Sequence, residues 1–333
     1  MNHRERISAA MRGEPVDHTP VALWRHFPND DLSAEGLARR VVEFQNKYEF
    51  DLVKVTPASG YPAEMYGATF RDGQNREGTR TYVSRPVNSI SDWNRIGALD
   101  ASNPVFQREA AAIKLIRQAL GAEVPILQTV FAPLNTAHNL AGERLMEDLR
   151  AEPVLLHRVL RALTETTIRF ATESLRAGAS AIFFATQMAT PKYLTLEEFQ
   201  RFGEPYDLEV VEALTAARAE FILLHIHGLN IYFEPLSQWP VQAINWHDRR
   251  TEPSLAEARA QYRGLLVGGI DEWGTLQGNP ADREANNAIV QQVRNAIEQV
   301  NGRGLILAGG CVIPIDTPEQ NIRTVLETAG AAK

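Results

Sequence analysis

Eight short apolar runs alternate with longer stretches of helical pattern along the whole chain. Most of these runs are continuous rather than interrupted by polar residues, which is typical of parallel strands that are buried on both faces. Regular alternation of this kind predicts an α/β fold, and eight repeats predict a (β/α)8 TIM barrel. The runs span residues 19–24, 51–56, 125–131, 180–185, 221–227, 243–248, 264–271 and 304–310.

Two segments depart from the alternation. Residues 67–87 hold two short β-prone runs around the turn-forming letters DGQNREG, and we expect a β-hairpin inserted after the second strand. The charged, amphipathic N-terminus predicts a helical extension before the first strand. We expect a single domain over residues 1–333, because no long linker interrupts the pattern. An open doubly wound sheet is the alternative, although no glycine fingerprint for a dinucleotide supports it.

The composition of the chain indicates its cellular location and the classes of partner that it can bind. The net charge of −7 argues against nucleic acid as a partner, because phosphate binding needs a concentrated basic surface. No apolar run reaches the length of a membrane span or a signal peptide, so we expect no membrane partner. Cys311 is the only cysteine, which excludes a disulfide within the chain and favours a reducing, cytoplasmic location.

Polar side chains collect where the predicted strands end, and this edge of a (β/α)8 barrel carries the chemistry. His225 and His227 end the fifth run, and their spacing of two places them on one side of the strand. Cys311 follows the eighth run, within reach across the mouth of a small barrel. Two imidazoles and a thiolate suit Zn²⁺ with an open fourth position, so we predict a zinc site. The alternative for each residue alone is an ordinary core side chain.

Further candidates stand at the same edge. His247 and Asp248 end the sixth run, and we predict a role for them in catalysis or beside the metal. Asp271, the last residue of the seventh run, is predicted to accept a proton. Arg25 is predicted to bind a substrate carboxylate, because its guanidinium fork matches the two carboxylate oxygens. The other predicted substrate-binding residues are Trp24, Asn135 and Gln187.

Three stretches of the sequence resemble the uroporphyrinogen decarboxylase superfamily. They are RERISAAMRGEPVDHTPVALWR at the start, AGASAIFFATQMA with LTLEEFQRFGEPY in the middle, and LLHIHG, GGID and ILAGGCVIPIDTPEQNI at the end. The resemblance extends over nearly the whole chain and implies the barrel fold. The chain differs from the decarboxylases at Asn29, Pro57 and Asn139, where they carry an arginine, an aspartate and a tyrosine.

The C-terminal motif is more similar to the zinc-dependent branch that transfers methyl groups between a corrinoid and a thiol. That branch carries His-x-Cys and a distant cysteine. His225 matches the histidine, His227 replaces the first cysteine, and Cys311 matches the last. The resemblance implies a zinc-dependent methyl- or alkyltransferase with a small thiol substrate, and it is compatible with a corrinoid on a partner protein and with a homodimer.

Two other functions stay open at this point. One is a decarboxylase or lyase of the same fold, metal-free or zinc-assisted, which would act on a carboxylate substrate with Arg25 as the anchor and His225 or His247 as the acid. The other is a protein that only binds a small ligand or a corrinoid.

Overall fold

The computed structural model describes residues 1–331, so the predicted domain end at Lys333 lies outside the described residues. The strands, in chain order, are β1 Val53–Val55, β2 Thr69–Asp72, β3 Arg80–Ser84, β4 Ile126–Phe131, β5 Ala181–Thr186, β6 Ile222–Ile226, β7 Ala243–Trp246, β8 Leu265–Ile270 and β9 Leu305–Gly309. The α-helices are α1 His3–Met11, α2 Ala34–Tyr48, α3 Tyr61–Glu64, α4 Pro104–Leu120, α5 Pro133–Ala141, α6 Arg144–Ala151, α7 Pro153–Arg176, α8 Leu196–Phe202, α9 Glu204–Ala216, α10 Phe233–Leu236, α11 Leu255–Gln261, α12 Arg283–Gln299 and α13 Glu319–Ala331. Short 3₁₀ turns span Asp30–Leu32, Ile90–Arg95 and Thr275–Gln277.

A parallel sheet forms the centre of the fold. Its strand order is β1-β4-β5-β6-β7-β8-β9, and every neighbouring pair is parallel. Each of these strands coincides with one of the last seven apolar runs, except that β5 extends one residue past its run, and nearly every residue in them is buried. Burial on both faces is the physical reason why these runs are continuous in sequence. The prediction of an α/β fold built on a parallel sheet is confirmed.

The first apolar run does not form a strand as predicted. It makes one isolated parallel bridge, between Val21 and Leu307 of β9. Pro20 has no N–H to donate, and the Val21 N–H donates to the Asp51 carboxylate at 2.9 Å, so a longer ladder cannot form. The Asp51 N–H, close to the start of β1, donates to the Val21 carbonyl at 2.9 Å. The segment therefore joins the two edge strands, an arrangement consistent with a TIM-like barrel.

The N-terminal helix α1 lies across the amino ends of the strands. Asn2 and Glu5 form a reciprocal capping box at its start. The Arg4 N–H donates to the Glu123 carbonyl at 3.0 Å, and the Arg4 guanidinium donates to the Ser180 hydroxyl at 3.1 Å, just before β4 and β5. This end of the sheet is thereby covered, while the carboxyl ends stay accessible. No helix within residues 1–331 is both long enough and apolar enough to cross a membrane.

Strands β2 and β3 pair antiparallel and form a hairpin between β1 and α4. The tip of this hairpin packs onto the carboxyl end of the sheet. Gly78 is buried there with φ of 80°, and a Cβ at this position would lie 2.8 Å from side-chain atoms of both His26 and Ile315. The Ile315 N–H donates to the Arg76 carbonyl at 2.7 Å. The hairpin tip therefore roofs the edge of the sheet where β9 ends.

Candidate metal centre at the carboxyl ends of the strands

Three predicted ligands come together at the carboxyl end of the sheet. His225 lies in β6, His227 follows that strand, and Cys311 stands two residues after β9. One ligand atom from each residue lies within 4.8 Å of the other two. Leu223 packs inside the barrel, and the two-residue repeat of a strand carries His225 to the same side.

The protonation of His225 follows from its neighbour Asn245. The Asn245 amide group donates to the Val267 carbonyl at 2.8 Å and to the Gly309 carbonyl at 3.1 Å, so its oxygen faces His225. His225 Nδ1 lies 2.7 Å from that oxygen and must donate to it. Nε2 then carries a lone pair, and it is buried without a hydrogen-bond partner among the described residues. Burial, reinforced by the charges of His227 and His247, holds the pKa of His225 well below its ordinary value.

An unpaired, neutral imidazole nitrogen in a buried position is costly unless a ligand uses it. Metal coordination uses this form of histidine. The unpaired Nε2 atom of His225 therefore indicates that a metal ion fits at this position. Two imidazoles and one thiol are also a donor set that zinc accepts with a fourth position left open.

His227 is held by a chain of hydrogen bonds that ends at a carboxylate. His227 Nδ1 lies 3.3 Å from His247 Nε2, and His247 Nδ1 lies 2.9 Å from Glu272 Oε1. The other Glu272 oxygen accepts from the Gly310 N–H at 2.9 Å. Burial alone would raise the pKa of Glu272, but the hydrogen bond from His247 holds it below its usual value. With Glu272 ionised, each imidazole donates toward it through Nδ1, which leaves Nε2 of His227 free to bind a cation.

Cys311 is half-buried beside the cavity. Burial raises the pKa of its thiol to about 12, although the charge of Lys54 opposes the rise. The site without a cation therefore holds a thiol rather than a thiolate. A bound metal ion reverses this preference, because a thiol that coordinates a metal loses its proton.

The three ligands open into a cavity of about 310 Å³, within the usual size of a small-molecule site. The hairpin and its tip supply the roof, through Glu77, Thr79, Arg80 and Tyr82. Arg80 is fixed there by Glu64, which accepts from its guanidinium at 2.8 Å. Other parts of the wall are Lys54, Phe183, Gln187 and Val312. The inserted segment thus shapes the space beside the ligands.

Three of the predicted substrate-binding residues lie at or near this cavity, each in a different way. Gln187 lines it, and its backbone N–H donates to the Asn135 side-chain oxygen at 2.9 Å. Asn135 is fully buried and therefore positions Gln187 from behind. Trp24 is also buried and lies edge-on to Phe183 at 5.5 Å, one layer below the cavity wall.

Three predicted residues are not brought to the cavity. Arg25 lines a different cavity of about 450 Å³, where it donates to the Ile315 carbonyl at 2.7 Å. Asp248 accepts from the Gly269 N–H at 2.9 Å, because it points to the opposite side of the chain from His247. Asp271 accepts from the N–H groups of two residues that follow it and so stabilises a turn. These positions do not support the roles predicted for them.

Three other residues lie at the site, although the sequence patterns did not indicate a role for them. Glu272, beside Asp271, is the carboxylate that reaches the histidines. Asn245, inside β7, orients His225. The signal in the sequence for Lys54 is that it is the one cation within the apolar run DLVKVT. Val53 and Val55 pack toward the helices, so alternation turns Lys54 into the barrel.

A parallel sheet with helices around it and chemically active side chains at the carboxyl ends of its strands is typical of barrel enzymes. The chain belongs to the Uroporphyrinogen decarboxylase (URO-D) family, which matches residues 2–331. One relative is the methylcobamide:CoM methyltransferase MtbA of Methanosarcina mazei, 22% identical over 98% of this chain and 97% of that protein. Another is the uroporphyrinogen decarboxylase of Anaeromyxobacter dehalogenans, 26% identical over 99% of both chains. The solved structure of a methyltransferase from Methanosarcina mazei matches 99% of both chains with a TM-score of 0.82 and 20% identity, which supports the fold.

Proposed function

We propose that this chain is a zinc-dependent transferase that moves a methyl or other alkyl group onto a thiol substrate at the carboxyl ends of its strands. Relatives that match along nearly their whole length are methyltransferases, and this supports the broader class, an enzyme of methyltransferase type. The zinc and thiol part is carried by one observation, the cluster of His225, His227 and Cys311 with their ligand atoms within 4.8 Å. A cytoplasmic, single-domain protein is part of the same proposal.

Bound zinc would supply a Lewis acid that lowers the pKa of a thiol substrate. With Cys311 as the one thiolate among the ligands, the centre keeps a net charge of +1, which strengthens this effect. Residues of this chain orient the metal ligands and contact the substrate. Asn245 and the pair His247–Glu272 orient the two histidines, and Gln187 presents a polar side chain to the substrate.

The methyl donor that fits this proposal is a corrinoid, since the relatives are named methylcobamide:CoM methyltransferases. We propose that a separate partner protein carries it. The corrinoid would supply the methyl group as an electrophile and keep the electron pair of the broken cobalt–carbon bond, and the substrate thiol would release its proton to solvent and form the new sulfur–carbon bond. A decarboxylase remains the second candidate, since uroporphyrinogen decarboxylases are among the relatives. Arg25, the carboxylate anchor that this alternative assumed, lines a different cavity.

Metal removal tests the proposal. We expect the purified protein to contain one zinc per chain and to transfer the methyl group of methylcobalamin to a small thiol. Dialysis against a chelator should abolish transfer, and added zinc should restore it, whereas added Mg²⁺ should not. A protein stripped of metal that keeps its full transfer rate would contradict the proposal, and decarboxylation that resists the chelator would favour the second candidate.

Glu272 gives a separate prediction about zinc affinity. In Glu272→Gln, an amide nitrogen must face either the Gly310 N–H or the His247 Nδ1–H, so one of these hydrogen bonds is lost. We expect zinc to bind about 10–100-fold more weakly, measured by competition with a chromogenic chelator, because partners of metal ligands typically contribute this much. The matched control is Asp271→Asn, which changes the adjacent carboxylate and should leave zinc affinity unchanged. Equal affinities in both variants would show that Glu272 does not position the site.

A further inference from the structure

A second cavity, of about 450 Å³, lies between α2 and the segment that joins β9 to α13. It shares no lining residue with the cavity at the metal centre. Its walls combine the aromatic rings of Phe27, Phe44 and Tyr48 with several charged side chains, among them Arg25 and Arg40. The volume is within the range of small-molecule sites, and the proposed transfer does not use this cavity.

Arg25 is a half-buried cation in the wall of this cavity. Of the N–H donors of its guanidinium, one bonds to the Ile315 carbonyl at 2.7 Å. Its Nε is buried without a hydrogen-bond partner among the described residues. The rings of Phe27 and Phe44 lie 5.4 Å and 5.7 Å from the guanidinium carbon, and such rings attract a cation weakly. Most of the hydrogen-bonding capacity of Arg25 is therefore unused.

The carboxylates whose charges reach Arg25 are paired with other cations. The charges of Glu319 and Asp316 act on Arg25, but neither carboxylate lies within ion-pair distance of it. Glu319 pairs with Lys47, and Asp316 accepts from Arg76 at 2.7 Å. Both acids therefore weaken the positive charge at Arg25 from a distance without neutralising it.

A second guanidinium adds positive charge at this point. Arg40 lies over the Phe27 ring at 5.7 Å, and burial followed by the charge of Arg40 lowers the pKa of Arg25. Arg40 itself is balanced, because it donates to Glu43 at 2.6 Å and lies 3.5 Å from Asp30. Arginine remains protonated in proteins, so Arg25 keeps its charge despite both effects. An anion bound beside Arg25 would offset the burial and the repulsion together.

We infer that this cavity is a second binding site, for a small molecule that carries a phosphate or carboxylate group. Arg25 binds the oxyanion, because its planar guanidinium matches two oxygens of either group, and the aromatic walls contact the apolar part of the ligand. The inference goes beyond the proposed function and does not depend on it. The segment after β9 lines both cavities, with Cys311 and Val312 at one and residues 315–317 at the other. The ligand therefore contacts the segment that carries Cys311 without entering the substrate cavity.

Calorimetric titration of the zinc-loaded protein tests the site. The probes are phenyl phosphate, benzoate and the neutral benzyl alcohol, which share one aromatic ring. We expect at least one of the two anionic probes to bind about 10–100-fold more tightly than benzyl alcohol, the range of a charge-assisted hydrogen bond. Comparison of the two anions identifies the preferred group. Equal affinities for all three probes would overturn the inference, whereas failure of the proposed transfer would leave these binding results unchanged.

A variant of Arg25 locates the bound anion, because a charged probe could also enter the cavity at the metal centre. Arg25→Met removes the guanidinium and should abolish the preference for anionic probes. Arg263→Met removes an exposed guanidinium before β8 and should keep the preference, so it is the matched control. A preference that survives in Arg25→Met would place the anion elsewhere and overturn the inference.

A change of charge at the start of α13 should have the opposite effect. Glu319→Gln removes a carboxylate whose charge acts on Arg25 and frees Lys47, so the anionic probes should bind about two- to fivefold more tightly. Glu327→Gln, exposed on the same helix, should leave their affinity unchanged. Both substitutions are on the surface, so this comparison decides the question even if Arg25→Met does not fold. Equal affinities in Glu319→Gln and the wild type would contradict the site.

Discussion

Replacing Cys311 with serine is expected to reduce zinc affinity by at least about a hundredfold, because one of the three ligands is lost and each contributes several kcal/mol of the binding free energy. A serine hydroxyl does not ionise readily and is a poor zinc ligand at neutral pH. Methyl transfer should fall with zinc occupancy. The measurements are zinc content after gel filtration, a chelator competition for affinity, and the transfer rate at saturating zinc.

The free energy of unfolding of the metal-free protein serves as the control for this variant. Cys311 is half-buried beside an open cavity, so the change from sulfur to oxygen should alter that free energy by no more than about 0.5 kcal/mol. Loss of zinc without loss of stability would separate ligation from packing. A Cys311→Ser protein that retains stoichiometric zinc would mean that the cysteine is not a ligand.

Gly310→Ala should damage both the fold and the metal centre. A Cβ at Gly310 would lie 2.6 Å from the Cα of His247, 2.9 Å from its Nδ1 and 3.1 Å from the Trp246 carbonyl. Most of these atoms are backbone, so the chain after β9 must move away from β7. We expect a loss of about 1–3 kcal/mol in the free energy of unfolding. We also expect weaker zinc binding, since the Gly310 N–H donates to Glu272 and Cys311 is the next residue.

Gly97→Ala is the matched control, because no atom lies within 4 Å of a Cβ built at that position. Denaturant unfolding of the metal-free proteins gives the stability difference, and chelator competition gives the zinc affinity. The control should stay within about 0.5 kcal/mol of the wild type. If Gly310→Ala also stays within that range, the close approach of β9 to β7 does not limit the fold.

The predictions that succeeded concern residues whose direction is set by a strand. Seven apolar runs became parallel strands, since burial on both faces leaves a continuous apolar pattern. His225 lies inside β6, and alternation along the strand fixes the side of the sheet that it faces. Sequence alone was therefore sufficient for the sheet and for the side of it that His225 faces. Cys311 stands on a loop, and its place after the eighth apolar run, rather than any period, made it a candidate.

The predicted site residues that lie away from the cavity stand just beyond the strands. β7 ends at Trp246 and β8 at Ile270, so no ladder fixes which of the following residues turns inward. At the end of β8 the turn takes Asp271 as its cap and leaves Glu272 for the histidines. Arg25 follows a run that makes only one bridge, and its direction is set by loop packing instead. Such choices depend on tertiary contacts that no local pattern encodes.

The two sides of the cavity come from separate parts of the gene. The predicted metal ligands and their supports lie between residues 225 and 311, whereas Lys54 and the hairpin residues of the roof lie between 54 and 82. Mutations between residues 54 and 82 can change which substrate binds without changing the predicted metal site. Exchange of that stretch between homologues would accordingly transfer substrate preference as a unit, a route by which one reaction centre can serve many substrates during evolution.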